Sequence, residues 1–314
     1  MTSARVVFFG TPDFAVPSLD AVARLADSGA IDLVAVVTQP DRPGDRGRIA
    51  VPPVKTRALA LGVPLLQPAR LGRDAVAEIV ALGADALVWA SYGNLIPAAL
   101  IDATRKRAMN VHASLLPRWR GAAPIARAIL AGDRETGITL MEGTAALDAG
   151  PILAQERTMI GPDENAGELT ARLAALGGRM LERDLPRYLR GELRGRAQDT
   201  EHATIAPKVT AADGLIDWTR PADEIVRRVR AMSPEPGAHT TLNGQRLVIA
   251  RASVGGGSPE TNGTVRVRDG VPHVAAGAGW VRLDEVRPAG KRTMSGAEWA
   301  RGARALDGAR VPSR

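Results

Sequence analysis

Short apolar runs alternate with amphipathic stretches over the first two thirds of the chain. The runs at residues 5–10 and 31–38 are apolar at nearly every position, which is typical of strands buried on both faces. Further strands are predicted at 63–66, 84–93, 108–112, 137–143 and 152–160, and helices at 17–26, 55–61, 73–82, 122–130 and 166–189. This alternation predicts right-handed crossovers and a mostly parallel sheet of the α/β class.

The pattern changes after residue 189. Residues 190–207 have no clear period and are interpreted as a linker, and a helix is predicted at 222–231. Short strands separated by turn residues are predicted at 246–254, 263–270, 271–277 and 279–286, which is typical of a small antiparallel β-barrel. We therefore predict an α/β domain at 1–189, a linker at 190–207 and an OB-like β-barrel domain at 208–314.

Composition excludes several kinds of site. The 314 residues include no cysteine and only four histidines, which are scattered without metal-ligand spacing. Disulfides, a thiol nucleophile and a metal site are therefore not expected. The first residues pass directly into a strand-like run, and no stretch of about 18 uncharged apolar residues occurs. We expect a cytoplasmic protein without a membrane span.

The net charge of +7 is unevenly distributed. Residues 1–205 hold 24 basic and 23 acidic side chains, whereas residues 206–314 hold 17 and 11. A basic second domain suggests a polyanionic partner, most simply a nucleic acid. A basic solvated surface explains the same charge equally well.

The segment NVHASLLPRWRGAAPI, residues 110–125, carries two polar side chains on one predicted strand. Asn110 and His112 are two residues apart, so their side chains share one face near the end of that strand. An amide beside an imidazole can stabilise an oxyanion and move a proton. An isolated pair is more often a capping asparagine and a satisfied histidine, so spacing alone leaves both interpretations open.

Asp148 lies in the turn ALDAG between two predicted strands. A carboxylate there can orient His112, although Asp-Ala-Gly is also an ordinary turn sequence. Ser114 lacks a G-x-S-x-G context, and neither G-x-G-x-x-G nor a P-loop follows the first strand. The sequence therefore disfavours a serine hydrolase, an NAD site and a P-loop.

The loop at residues 39–53 carries Arg42, Arg46 and Arg48 among glycines and prolines. Long loops in compact domains are often functional, and arginines contact phosphates. A solvated loop accounts for the same residues, so the loop alone decides nothing.

Taken in order, these motifs closely resemble those of the methionyl-tRNA formyltransferases, almost end to end. Residues 110–125 fit the family pattern N-x-H-x-S-L-L-P-R-W-R-G-A-A-P, and GTPDFAVPSL, TQPDRP, LDAG, IDW and RPAGKRTMSG agree in the family's order. The resemblance implies a Rossmann-like domain followed by a β-barrel. It also implies transfer of a formyl group from 10-formyltetrahydrofolate to the amino group of initiator methionyl-tRNA.

The resemblance further implies roles for individual residues. The catalytic set is Asn110, His112 and Asp148. The folate site is lined by Ser114, Leu115, Leu116 and Pro117, and tRNA is bound by Arg42, Arg46, Arg48 and Lys208. We expect a monomer that uses the folate donor and no metal ion.

The sequence departs from the family pattern at three places, and two other functions stay open. The loop reads GDRGR where the family usually has A-G-R-G, which adds Asp45 among the arginines, and ALDAG replaces G-L-D-T-G. The segment SPEP, residues 233–236, replaces an N-P-W-P-like segment. A formyltransferase acting on a sugar amine or glycinamide ribonucleotide would keep the catalytic set without needing the arginine loop. A non-enzymatic RNA-binding protein would not need the catalytic set.

Overall fold

The computed structural model describes residues 3–43, 49–104, 107–258, 260–303 and 306–312. The chain folds into two compact units. The first comprises Met1–Pro124, Glu135–Met159 and Thr170–Ala206, and the second comprises Ile125–Arg134, Ile160–Leu169 and Pro207–Arg314.

The strands and helices are numbered here in chain order. The strands are β1 (Ala4–Gly10), β2 (Ile31–Val37), β3 (Arg42–Pro43), β4 (Ile49–Ala50), β5 (Leu65–Leu66), β6 (Ala86–Ala90), β7 (Ala108–His112), β8 (Arg120–Gly121), β9 (Glu135–Glu142), β10 (Ile152–Met159), β11 (Ile205–Ala206), β12 (Ala238–Leu242), β13 (Gln245–Gly255), β14 (Val265–Arg268), β15 (Val271–Ala275), β16 (Trp280–Pro288) and β17 (Met294–Ser295). The helices are α1 (Val16–Asp27), α2 (Pro53–Ala60), α3 (Arg73–Ala81), α4 (Ala98–Ala103), α5 (Pro124–Ala131), α6 (Ala166–Leu189), α7 (Ala222–Met232) and α8 (Gly296–Gly302).

A seven-stranded sheet in the order β10-β9-β7-β6-β1-β2-β5 forms the centre of the first unit. The five strands from β7 to β5 pair in parallel, whereas β9 is antiparallel to both β7 and β10. Val6, Val7, Phe8 and Phe9 of β1 are completely buried, as expected for an apolar strand at the centre of a covered sheet. The predicted mostly parallel α/β sheet is confirmed.

Helix α6 covers one face of β7. A Cβ on Gly177 of α6 would lie 2.8 Å from Cγ1 of Val111, so this glycine permits the close approach of helix and strand. Successive side chains of a strand point to opposite faces. Asn110 and His112 therefore lie on the face of β7 that α6 does not cover.

The second unit contains an antiparallel sheet in the order β12-β13-β16-β15-β14, with β17 paired to β16. This confirms the predicted antiparallel architecture. Trp218 and Trp280 are completely buried in this unit, and Nε1 of Trp218 donates to Oγ1 of Thr240 at 3.1 Å. The IDW motif at residues 216–218 thus supplies core packing.

Short elements escaped the sequence pattern. Helices α4 and α8 and strand β12 lie in stretches where no element was predicted. Strand β11 forms within the segment interpreted as a linker and pairs in parallel with β8, Ile205 opposite Arg120 and Ala206 opposite Gly121. In the part of the chain that the structure describes, no helix is both long and apolar enough to cross a membrane.

Candidate active site

Two buried polar side chains project from β7. Asn110 is 5% exposed and His112 is 6% exposed, although β7 lies inside the sheet between β6 and β9. Buried polar groups need hydrogen-bond partners to offset the loss of hydration. The partners of this pair come from the loops that follow β7 and β9.

Asp148, from the loop after β9, faces both side chains. Nδ2 of Asn110 donates to Oδ1 of Asp148 at 3.2 Å. Nδ1 of His112 lies 3.7 Å from Oδ2 of Asp148, which is ion-pair range rather than hydrogen-bond range. The structure therefore brings together the three residues that the sequence singled out as a catalytic set.

The imidazole of His112 is held from its other side. Nε2 lies 2.9 Å from the carbonyl oxygen of Trp119, which can only accept, so Nε2 carries the hydrogen. Nδ1 is then the ring nitrogen that faces Asp148.

The backbone around Asp148 is specialised. Asp148 has a φ of 46°, a left-handed conformation that few residues other than glycine adopt. Its Oδ2 accepts from the backbone N–H of Gly121 at 2.9 Å. A Cβ on Gly150 would lie 1.9 Å from the carbonyl oxygen of Glu142, so only glycine fits there. The sequence D-A-G thus shapes a tight loop that aims a carboxylate at β7.

The turn after β7 is fixed by buried hydrogen bonds. Ser114 is completely buried and its hydroxyl donates to the carbonyl of Arg118 at 2.6 Å. Oγ1 of Thr139 accepts from the amide of Leu116 and donates to the carbonyl of Ser114, while Gln155 donates to the carbonyl of Leu116 at 2.8 Å. Among the four residues expected to line a folate site, only Leu115 and Pro117 keep part of their surface exposed.

The residues expected to bind tRNA have different surroundings. Arg42 is exposed on β3, which pairs with β4, and its guanidinium donates to Oε1 of Gln39. Arg46, Arg48 and the unexpected Asp45 lie outside the described residues. Lys208 is exposed in the second unit, and its carbonyl accepts from Arg127 at 3.3 Å.

Two ionisable groups beside the start of β7 are perturbed by burial. Burial raises the pKa of Glu142, the last residue of β9. Burial and the nearby Glu142 carboxylate raise the pKa of Tyr188 to about 12. Across the described part of the chain, no group of three or more His, Cys, Asp or Glu side chains could hold a metal ion.

Some residues of the site were not predicted from the sequence. The carbonyl of Trp119 and the amide of Gly121 contact His112 and Asp148 through backbone atoms, which side-chain chemistry does not reveal. Gln198 contacts the Asp148 loop from a segment without periodicity. The one available signal was the position of Trp119 and Gly121 inside the 110–125 motif.

Two protein-family models match the chain, formyl transferase over residues 4–185 and formyl transferase, C-terminal domain, over residues 208–304. A methionyl-tRNA formyltransferase of Myxococcus xanthus is 46% identical over 306 residues, with 96% of each chain covered. Another, of Halorhodospira halophila, is 45% identical with 98% of each chain covered.

Solved structures share the fold. A sugar 3N-formyl transferase, determined in the presence of dTDP and 5-N-formyl-THF, superposes with a TM-score of 0.68 at 16% identity, covering 93% of this chain and 100% of that one. The phosphoribosylglycinamide formyltransferase of Bacillus halodurans superposes with a TM-score of 0.51 at 25% identity, covering 59% of this chain and 95% of that one.

Proposed function

The chain belongs to the methionyl-tRNA formyltransferase family, and we propose that it transfers the formyl group of 10-formyltetrahydrofolate to the amino group of initiator methionyl-tRNA. The observation that carries the proposal is the convergence of Asn110 and His112 on Asp148, at 3.2 Å and 3.7 Å. The product would be the formylated tRNA that starts protein synthesis.

The reaction requires the protein to stabilise an oxyanion and to accept a proton from the amine. The donor supplies the formyl carbon, and attack by the methionyl amine forms a C–N bond and leaves negative charge on the formyl oxygen and a proton on the nitrogen. Collapse of this intermediate breaks the bond between the formyl carbon and the folate nitrogen, and tetrahydrofolate leaves with the proton taken from the amine. Asn110 has a second amide hydrogen for that oxygen, and Nδ1–H of the His112 imidazolium is a further donor. Donors aimed at a developing oxyanion contribute about 3–4 kcal/mol each.

We assign to Asp148 the removal of the proton from the attacking amine. Its carboxylate lies within ion-pair range of His112 but accepts no direct hydrogen bond from it. It can therefore hold the imidazolium by charge. Each of its oxygens accepts one hydrogen bond, from Asn110 and from Gly121, and keeps a further lone pair that can take the amine's proton through water. The carbonyl of Trp119 keeps the ring oriented, so Nδ1 and not Nε2 faces the reacting atoms.

The turn at Ser114, Leu115, Leu116 and Pro117 is assigned to the folate donor. Its backbone is held rigid by Thr139 and Gln155, while Leu115 and Pro117 keep exposed surface for an apolar ring. Leu95, in the loop after the neighbouring strand β6, is 66% exposed and offers a second apolar contact at the same edge of the sheet.

The tRNA is assigned to Arg42, Arg46, Arg48 and Lys208, and to the basic domain at 208–314. The excess of basic over acidic residues after position 206 supports a polyanionic substrate.

We further propose that the enzyme acts as a cytoplasmic monomer, with the formyltransferase domain at 1–189 and the linker at 190–207. Sedimentation at micromolar concentration tests the oligomeric state.

One assay tests the function against its rival. The purified protein is given labelled 10-formyltetrahydrofolate with methionyl-tRNA and an amino sugar nucleotide as competing acceptors. Label should enter methionyl-tRNA and not the sugar. Transfer to the sugar amine would replace the proposal with a sugar formyltransferase, and transfer to neither acceptor would contradict both.

A further inference from the structure

Gln198 is a buried residue in an exposed stretch of chain. It is 9% exposed, whereas residues 194–197 and 199–202 are all exposed. The segment has no regular secondary structure at this point, so neither a helix nor a strand accounts for the burial. A buried side-chain amide must instead be explained by what it binds.

Both ends of the Gln198 amide are engaged. Nε2 donates to the carbonyl of Asp148 at 2.9 Å and to the carbonyl of Gly150 at 2.7 Å. Oε1 accepts from Nε and Nη2 of Arg120, at 3.0 Å and 2.7 Å. The charged donor polarises the amide, which strengthens the two bonds that Nε2 makes.

These bonds fix the conformation that Asp148 needs. Asp148 is in the left-handed region at φ 46°, and both carbonyls bound by Gln198 belong to that turn. Backbone in this region persists when its surroundings over-determine it. Without Gln198 the turn has fewer restraints, and the carboxylate can rotate away from β7.

Arg120 extends the same restraint to the opposite loop. Its backbone forms β8 with β11, and the next residue, Gly121, donates its N–H to Oδ2 of Asp148. The guanidinium of Arg120 reaches Gln198, which binds the Asp148 turn. One glutamine therefore joins the loop after β7 to the loop after β9, on either side of the catalytic carboxylate.

We propose that Gln198, braced by Arg120, is a positioning residue that sets the geometry of Asp148. The expected effect on kcat rests on the proposed function. The effect of Gln198 on the conformation of the Asp148 turn does not depend on that function. Gln198 touches no reacting atom in this scheme and acts only through Asp148.

The kinetic experiment is a double-mutant cycle. Gln198→Leu should lower kcat for methionyl-tRNA formylation by about 10- to 100-fold, as small misplacements of catalytic groups do, with KM for both substrates nearly unchanged. In the Asp148→Asn background the same change should cost less than about threefold, because its target is already disabled. Equal losses in the two backgrounds would overturn the proposal.

Gln155→Leu is the matched control. This glutamine also donates two hydrogen bonds within the first unit, to the carbonyl of Leu116 and to Oγ1 of Thr139, but not to the Asp148 turn. Its effect on kcat/KM should persist in full in the Asp148→Asn background. If Gln198→Leu fails to fold, Gln198→Glu keeps the volume and the bond to Arg120 while placing an oxygen against the two carbonyls, and the same non-additivity is expected.

A second readout does not depend on activity. The amide resonance of Gly121 reports its bond to Asp148, and it should shift in Gln198→Leu as it does in Asp148→Asn, and stay in place in Gln155→Leu. An unmoved Gly121 resonance would overturn the positioning role. If the wild type formylates no methionyl-tRNA, the proposed function fails while this resonance still decides the inference.

Discussion

The loop that carries Asp148 and the loop that carries Arg42 hold charged side chains in opposite ways. The Asp148 side chain is 13% exposed and contacts Asn110 and Gly121, and its backbone is bound by Gln198. Arg42 is exposed on a pair of two-residue strands. A charge that acts on reacting atoms must be fixed in place, whereas a charge that attracts a polyanion works from solvent over a range of distances.

The largest effect is expected from replacing the fixed side chains of His112 and Asp148. His112→Ala and Asp148→Asn should each lower kcat by at least about 10²–10³-fold, because each removes a group to which we assign a role in the transition state. Steady-state kinetics with saturating substrates, with circular dichroism to check folding, measures this. Near-normal turnover in either variant would remove that residue from the catalytic set.

Binding of tRNA through exposed basic side chains should depend on the salt concentration. Raising NaCl from 50 to 200 mM should weaken tRNA binding at least about tenfold, as expected if two or three phosphates are neutralised, and should change folate binding much less. Equilibrium binding of each ligand across the salt series measures the difference. A flat response for tRNA would contradict the role of the exposed arginines and the basic domain.

A smaller effect is expected from a single exposed arginine. Arg42→Ala should raise KM for methionyl-tRNA several-fold with kcat nearly unchanged, since it removes one phosphate contact and no reacting group. Arg42→Lys keeps the charge and serves as the matched variant. A loss confined to kcat would instead place Arg42 among the fixed groups.

The smallest effect concerns Glu142, a carboxyl group that burial penalises. Because its pKa in the folded state is raised, the protonated form favours folding, and this contribution is lost as pH rises through the folded-state pKa. Glu142→Gln should therefore raise Tm at pH 7, and the gain should vanish below about pH 4. Glu78→Gln, at an exposed position of α3, is the control and should change Tm little at either pH.

Much of the first unit could be predicted because strands that are buried on both faces are apolar at nearly every position. Strand β7 and helix α6 have the predicted bounds, and the same-face argument for Asn110 and His112 needs only strand periodicity. Local patterning could not join Asp148 to them, since that contact spans 38 residues and depends on a left-handed turn. The residues alone left a contact between Asp148 and His112 as one of two interpretations, and the resemblance was what grouped the three as one site.

The supporting contacts were beyond any sequence pattern. Gly121 acts through its amide and Trp119 through its carbonyl, and every non-proline residue has both groups. Gln198 lies among exposed residues with no period to mark it. Long-range hydrogen bonds to backbone atoms leave no trace in composition or spacing, so the structure alone could reveal them.

The position of Gln198 in the chain has a consequence for biosynthesis. A growing polypeptide that has just passed residue 160 already contains Asn110, His112 and Asp148, but neither the glutamine that binds the Asp148 turn nor β11, which pairs with β8. A fragment ending at residue 189 would carry the same deficit permanently. Under the proposed roles, the catalytic side chains are therefore encoded in the first half of the sequence, whereas the residue that positions Asp148 is synthesised about forty residues after position 160.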